Sequence, residues 1–179
     1  MNKKNSVFIA TSLDGYIADK NGGIDWLHAI PNPNNEDMGY EKFTSQIDAL
    51  VKGRTTFETV CGFDCDWPYQ KPVFVLSNTL KEIPESHKGN AFLVKGSLTK
   101  VLEQIHQKGH HRLYIDGGTT VQGFLKEDLI DEMIITTIPI LLGGGFPLFK
   151  ELPKPLEFEL VASNTFLNQI TQNYYQRKA

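Results

Sequence analysis

A chain of 179 residues with 40% hydrophobic content spread along its length is one domain's worth, with enough apolar surface for a full core. A formal charge of −3, with Arg54, Arg112 and Arg177 the only arginines and the lysines scattered, leaves no basic stripe and argues against nucleic-acid binding. Cys61 and Cys65 form no disulfide framework or zinc pattern, and the apolar stretch near the N-terminus is too short for a signal peptide or membrane span, so a cytoplasmic protein with reduced thiols and no metal is expected.

In chain order, SVFIATS is a short apolar run and reads as a strand. SLDGYIADKNGGIDWL carries turn-forming Gly, Asp and Asn and reads as a loop, with Asp14 a turn former beside Gly15. From Asn34 the spacing of Tyr40, Phe43, Ile47 and Leu50 predicts a helix, with Glu36 and Asp37 complementing the dipole of its first turn. DALVKG is a second strand and RTTFETVCG a short helix closed by Gly62. KPVFVLSN and AFLVKG are continuous apolar runs suited to strands covered on both faces. SLTKVLEQIHQKG has Ser97 as N-cap and Gly109 as stop. Strand RLYIDGG, helix TTVQGFLKEDL and a long strand, DEMIITTIPILLGGG, follow. FELVASNTF and ITQNYYQR face each other across Leu167–Asn168 as an antiparallel hairpin. The alternation predicts a single α/β domain over 1–179: a mixed, mostly parallel sheet with helices on both faces and a C-terminal antiparallel hairpin.

Two stretches share one pattern: apolar strand, glycine, hydroxyls, helix start. They are ALVKGRTTFE and LYIDGGTTVQGFL. A helix N-terminus presents unpaired N–H groups, glycine lets an anion approach the backbone, and Arg54 adds a fork-shaped charge. Threonine caps and glycine turns would read the same way in either stretch alone. Together, at the carboxyl ends of parallel strands, they suit a ligand carrying phosphates in two places. Neither stretch fits G-x-G-x-x-G or a P-loop.

VFIATSLDGYIA, the Trp26–Leu27 pair, GRTTFE, VFVLSN and IDGGTTVQGFL, in this order from about Val7 to Tyr175, resemble the dihydrofolate-reductase-like superfamily. The similarity is closest to the C-terminal reductase domain of the bacterial bifunctional riboflavin-biosynthesis deaminase-reductase, in its stand-alone form. The resemblance implies a homodimeric, NADPH-dependent reductase. It implies that Gly53, Arg54, Thr55 and Thr56 hold the adenosine-side phosphates, with Ser77 and Asn78 near the 2′-phosphate. Gly117, Gly118, Thr119, Thr120 and Val121 match the turn that cradles the pyrophosphate. Ala10 matches the strand end whose backbone meets the nicotinamide carboxamide, and Trp26 an aromatic beside that ring.

On the substrate side the resemblance implies that Asp37 is the catalytic carboxylate, with Glu36 and Glu41 close, and that Asp116 touches substrate. A carboxylate accepts a fork of N–H donors from an aminopyrimidine edge. The other reading of Glu36 and Asp37 is stabilisation of a helix N-terminus. The substrate classes implied are an aminopyrimidine, a ribosylaminouracil or a pterin. The substrate-side arginines of the riboflavin-pathway domain are missing here, leaving Lys42 or Lys71 as substitutes. A cofactor-binding module without catalysis is the rival reading, or a reductase of an unrelated small substrate. His28 reads as a solvated loop residue, His110 and His111 as a polar helix exit, and LLGGGFPLF at 141–149 as a bulge or loop, or else as an edge of the substrate pocket or of a subunit contact.

Overall fold

Strand β1 (Lys4–Ser12) lies inside an eight-stranded sheet, in the computed structural model, which describes residues 2–179. The order is β5 (Ala91–Val94), β4 (Val73–Leu76), β3 (Ala49–Gly53), β6 (Arg112–Asp116), β1, β7 (Glu132–Ile138), β10 (Ile170–Arg177) and β9 (Phe158–Phe166). β5 through β7 are mutually parallel; β10 and β9 close the sheet antiparallel, as the hairpin pattern predicts.

Alternation along β3 sorts the two cores. Ala49 and Val51 face one side with α3 (Leu98–Gln107) and α4 (Gly118–Lys126), whose Val101, Ile105, Val121 and Phe124 are fully buried there. Leu50 faces the other side with Phe43 of α1 (Tyr40–Thr44) and Phe57 of α2 (Arg54–Cys61). Each fully buried Val, Ile, Leu or Phe side chain contributes roughly 1.5–3 kcal/mol relative to exposure. These two layers hold the carboxyl ends of the central strands in fixed register. A smaller cluster of Trp26, Ile138 and Ile170 seats the first long loop on β7 and β10.

Three elements depart from the sequence expectation. The helix expected from Asn34 is one turn and a half, Tyr40–Thr44. Met38 and Gly39 both take left-handed backbone angles, φ 52° and 84°, which no right-handed helix passes through. The long strand at 131–145 stops at Ile138, because Pro139 follows and Gly143, Gly144 and Gly145 all have positive φ. The loop after β1 contains a short strand, β2 (Tyr16–Ala18), paired with β8 (Phe146–Pro147). A methyl group on Gly145 would stand 2.1 Å from the Ala18 carbonyl oxygen, so only glycine permits that approach. Asp14 ties the same two loops by accepting the N–H groups of Leu142 at 3.1 Å and Gly143 at 2.8 Å.

At the opposite end of the strands Arg177, the last residue of β10, forks onto Asp128 with bonds of 2.7 Å and 3.0 Å. The Arg177 guanidinium holds the Asp128 carboxyl down at about 2, from an ordinary 3.8. A depressed carboxylate contributes stability that is complete above its unfolded value and is lost as pH falls through the folded one. Between about pH 4 and pH 2 the native protein should therefore lose this contribution. Thermal melts across that window should fall less steeply for Asp128→Asn than for the unaltered chain; parallel curves would show that the clamp contributes nothing.

Candidate functional site

The ladder between β1 and β6 stops early. Its register runs Lys4↔Arg112, Asn5↔Leu113 and Ser6↔Tyr114. β1 continues against β7 to Ser12↔Ile138, while Ile115 and Asp116 pair with Val51 and Lys52 of β3. The sheet thus opens between β1 and β6 toward the carboxyl ends of its strands. Tyr114 bridges the start of the opening, its hydroxyl donating to the Phe8 carbonyl at 2.8 Å. Ala10, two residues further on, turns its backbone N–H and C=O the same way. Open α/β sheets bind ligands at such crevices.

On the far side of the opening, α2 and α4 begin directly after adjacent strands and interlock. A methyl group on Gly53 would lie 2.7 Å from Thr120 Oγ1, and one on Gly117 would lie 2.4 Å from Thr56 Oγ1. The threonine of each helix occupies the space left by the glycine that starts the other. The two helix N-termini therefore lie side by side, and their first-turn N–H groups converge on one place. Thr55 and Thr119 are exposed there, while Val121 is fully buried and serves packing.

Arg54 stands at the outer end of this row. Its Nε donates to Glu58 at 2.7 Å and its Nη1 to Thr79 Oγ1 at 3.3 Å. Ser77 accepts the N–H groups of Thr79 and Leu80, and the Asn78 side chain accepts the Gly96 N–H at 3.0 Å. Arg54, Ser77, Asn78 and Thr79 so form one polar cluster. Thr79 was not foreseen, though it follows Asn78 directly.

The largest surprise is Lys52. It is the last residue of β3 before Gly53, it shares the face of Leu50, and it is 1% exposed. Its ammonium pairs with the Asp116 carboxylate opposite and lies 4.5 Å from the centroid of the Tyr69 ring. Burial pulls the Lys52 ammonium down, but the Asp116 carboxylate and the Tyr69 side chain together offset this, and the group is held above the ordinary lysine value. The other Asp116 oxygen accepts the Gly117 N–H at 2.9 Å. The same Tyr69 ring walls a cavity of about 530 Å³, together with Tyr40, Thr44, Leu50 and Lys71. A charge ending the apolar run Ala49–Val51 is the signal that marks Lys52 in the sequence.

The acidic candidates near α1 lie differently. Asp37 precedes the helix, and its two oxygens accept the N–H groups of Gly39 at 2.9 Å and Glu41 at 2.8 Å. Those backbone bonds hold its carboxyl below the usual aspartate value. Glu36 is exposed, with its N–H bonded to Asn32 at 2.9 Å. Glu41 is exposed on the rim of the cavity. Of the two lysines considered for the substrate side, Lys71 lines that cavity. Trp26 is 8% exposed within its cluster, with Nε1 donating to the Gly23 carbonyl at 3.2 Å. No group of three or more metal-ligating side chains occurs among the described residues.

A family model described as the RibD C-terminal domain matches residues 4–172. The chain is 35% identical over 178 residues to the uncharacterised protein YwjB of Bacillus subtilis (strain 168), covering 99% of each chain. A crystal structure of a Shewanella sp. PV-4 protein, provisionally named a riboflavin biosynthesis protein, superposes with a TM-score of 0.96 at 57% identity, covering 98% of this chain and 99% of that one. The fold is shared with Enterococcus faecalis dihydrofolate reductase, solved with NADP(H), at a TM-score of 0.66 and 18% identity over 98% and 97% of the two chains.

The interlock makes a prediction about two glycines of one helix. Gly117 has φ 99° and no room for a side chain, so Gly117→Ala should destabilise by about 1–3 kcal/mol. Gly123 lies inside α4 with Leu98 at an ordinary 3.9 Å, so Gly123→Ala should be neutral or stabilise by up to about 1 kcal/mol. Urea denaturation of the two variants checks the contrast; equal effects would mean that the helix starts do not interlock.

Proposed function

This chain belongs to the RibD C-terminal domain family, and from that premise we propose that it is an NADPH-dependent reductase. The observation that carries the reading is the opened sheet between β1 and β6, with two interlocked helix N-termini on its far side. The residues present fit the cofactor. Gly53 and Gly117 let two helix starts interlock side by side, so that first-turn N–H groups of both helices suit the pyrophosphate. Arg54 with Ser77, Asn78 and Thr79 suits the 2′-phosphate. Ala10 presents backbone N–H and C=O toward the opening, as a carboxamide requires. Gly118, Thr119 and Thr120 complete the pyrophosphate turn, with Thr55 and Thr56 facing it from α2. When bound, the nicotinamide would supply a hydride. The protein's part is to orient the acceptor against that ring and to exclude water with the loops that Asp14 and Gly145 tie together.

The substrate side is the cavity beside Lys52 and Asp116. Its aromatic walls, Tyr40 and Tyr69, suit a planar ring, and Asp116 suits that ring's N–H groups. Asp37 suits this role less, because it stands outside α1 as its cap, whereas Asp116 is joined through Lys52 to Tyr69 on the cavity wall. Lys71 on the cavity wall offers a point charge to an anionic substituent. The substrates that fit are 5-amino-6-(5-phosphoribosylamino)uracil and dihydropterins or dihydrofolate. Loss of NADPH absorbance with each tests the reading. Binding of NADPH with no oxidation by any of them would leave a cofactor-binding module.

A cytoplasmic homodimer belongs to the same proposal. Among the described residues strand β9 pairs only with β10, and from Glu159 to Thr165 every residue is exposed, Leu160 and Val161 at about half of their surface. An open edge strand of that length, apolar at Leu160, Val161 and Ala162, is a template for a second chain. Light scattering after size exclusion checks it; a monomer at micromolar concentration would overturn it.

Arg54→Ala should weaken NADPH binding by roughly 1.5–3 kcal/mol, the worth of charge-assisted hydrogen bonds, and leave NADH binding nearly unchanged. Calorimetric titration of both cofactors separates the cases. Equal weakening would place Arg54 at the pyrophosphate, and no weakening would remove it from the site. Asp37→Asn should leave turnover within about threefold, since asparagine still caps a helix. Asp116→Asn should lower it by at least about tenfold.

A further inference from the structure

A parallel ladder that stops inside a sheet leaves backbone groups of two strands facing each other without a bond, and such groups need partners. We infer that Tyr114 is a positioning residue that holds the sheet open for the nicotinamide half of the cofactor, its hydroxyl standing in for the first missing rung between β1 and β6. The inference rests on the reductase reading of the site.

The ladder itself identifies the groups involved. The Lys4 N–H donates to the His111 carbonyl at 2.9 Å, so the even-numbered residues of β1 turn their backbone groups toward β6. Pairing ends at Ser6↔Tyr114; beyond it Val7 pairs with Met133 of β7 and Ile115 with Val51 of β3. By the two-residue repeat, the next acceptor on β1 is the Phe8 carbonyl, and the donor in line with it is the Gly117 N–H. Both are taken by side chains. The Tyr114 hydroxyl donates to the Phe8 carbonyl at 2.8 Å, and Asp116 accepts the Gly117 N–H at 2.9 Å. The two strands therefore gain little by closing, because each already has its hydrogen bond.

Of the two substitutes, the Asp116 bond is local, made to the next residue in the chain. The Tyr114 bond spans the opening. It runs from the last residue of β6 that pairs with β1 to a carbonyl two residues past the last rung. The phenol is braced for this. Phe43 of α1 packs edge to face on the Tyr114 ring, centroids 5.0 Å apart, and also lies 5.0 Å from the Phe8 ring. One aromatic side chain thus rests on the same two strands that the hydrogen bond joins. Tyr114 is 6% exposed. Burial, with the charge of Asp116 behind it, holds the phenol well above the ordinary tyrosine value, so it is a donor throughout the neutral range.

A phenylalanine at this position would fill the same space and offer no donor. The Phe8 carbonyl would then lack its partner, and the Gly117 N–H is the replacement that the ladder offers. Taking it would draw β6 toward β1 and narrow the crevice that Ala10 borders. The groups proposed for the 2′-phosphate, around Arg54, lie beyond β6 and should feel this least.

The test compares two ligands on the unaltered chain and on Tyr114→Phe. They are NADPH and adenosine 2′,5′-bisphosphate, which carries the adenosine phosphates without the nicotinamide. Calorimetric titration should show NADPH weakened by about tenfold, the scale of one hydrogen bond, with the bisphosphate held within about threefold. General loss of structure would weaken both alike. A second readout needs no ligand. The Phe8 amide should exchange its hydrogen fast in the unaltered chain and more slowly in Tyr114→Phe, as it finds the Ile115 carbonyl; simple destabilisation speeds exchange instead. Equal weakening of the two ligands, an unchanged NADPH affinity, or a Phe8 amide that exchanges no more slowly in the variant would each overturn the inference. If Tyr114→Phe does not fold, Phe43→Leu keeps the hydroxyl, removes its brace and should split the two ligands in the same direction; equal weakening there overturns the inference too. An unaltered chain that does not bind NADPH would overturn the reductase reading instead, and exchange at Phe8 would still decide whether Tyr114 holds the sheet open.

Discussion

The last rung of the β3–β6 ladder joins Lys52 to Asp116 across a parallel pair, and the architecture of the site radiates from it. The residue after each is a glycine, and after each glycine a helix starts. α2 turns toward the face that carries Phe43 and Phe57, and α4 toward the face that carries Val101 and Ile105. Two helix N-termini bring positive partial charge to this place, and an unpaired lysine below them would add to it. Asp116 cancels the lysine and also accepts the N–H of Gly117. The rung fixes the register of both helix starts and leaves their N–H groups free for an external anion. Removing one member of a buried pair generally costs roughly 3–5 kcal/mol, and Asp116, with its side chain 22% exposed, leaves part of that cost to solvent.

Much of this was legible in the sequence because it depends on local rules. The strands show as apolar runs bounded by glycine, proline and asparagine, and the final hairpin as two β-prone segments around Leu167–Asn168. Both of these take the left-handed conformation that such a turn requires, φ 49° and 58°. The paired glycine–threonine helix starts were legible for the same reason. Their interlock was not: Thr56 against Gly117 is a contact between residues 61 positions apart, set by the pairing of β3 with β6. Lys52 was hidden in the same way. Within ALVKG it looks like the polar end of a strand, and only the neighbouring strand shows that it is buried and neutralised.

The segment before α1 shows how helical spacing misleads. Asp37 stands at the distance from GRTTFE that the resemblance to dihydrofolate reductases requires, and the helical spacing of Tyr40, Phe43 and Ile47 supports a helix around it. Met38 and Gly39 break that helix by going left-handed, and Asp37 is left outside as its cap. Gln172 on β10 holds the Met38 carbonyl at 2.9 Å and also bonds Thr136 of β7, so the break is anchored to the sheet. A left-handed non-glycine residue persists only where its surroundings over-determine it. Nothing in the stretch Asn34–Leu50 announces a partner 134 positions away.

The same reasoning explains why Arg54 can be both paired and available. Its bond to Glu58 links neighbours on one helix, and both side chains are about half exposed. Such a pair is worth roughly 0.3–0.5 kcal/mol, whereas a hydrogen bond to a charged phosphate is worth about 1.5–3 kcal/mol. A phosphate brought to Arg54 would win, and Glu58 would return to solvent at little cost. Lys52 stands at the opposite extreme: its partner is a cross-strand carboxylate, its stem is enclosed, and no ligand can compete for it. The two basic residues flank Gly53 in the sequence. The glycine divides a charge built into the sheet from a charge left exposed on the first turn of α2.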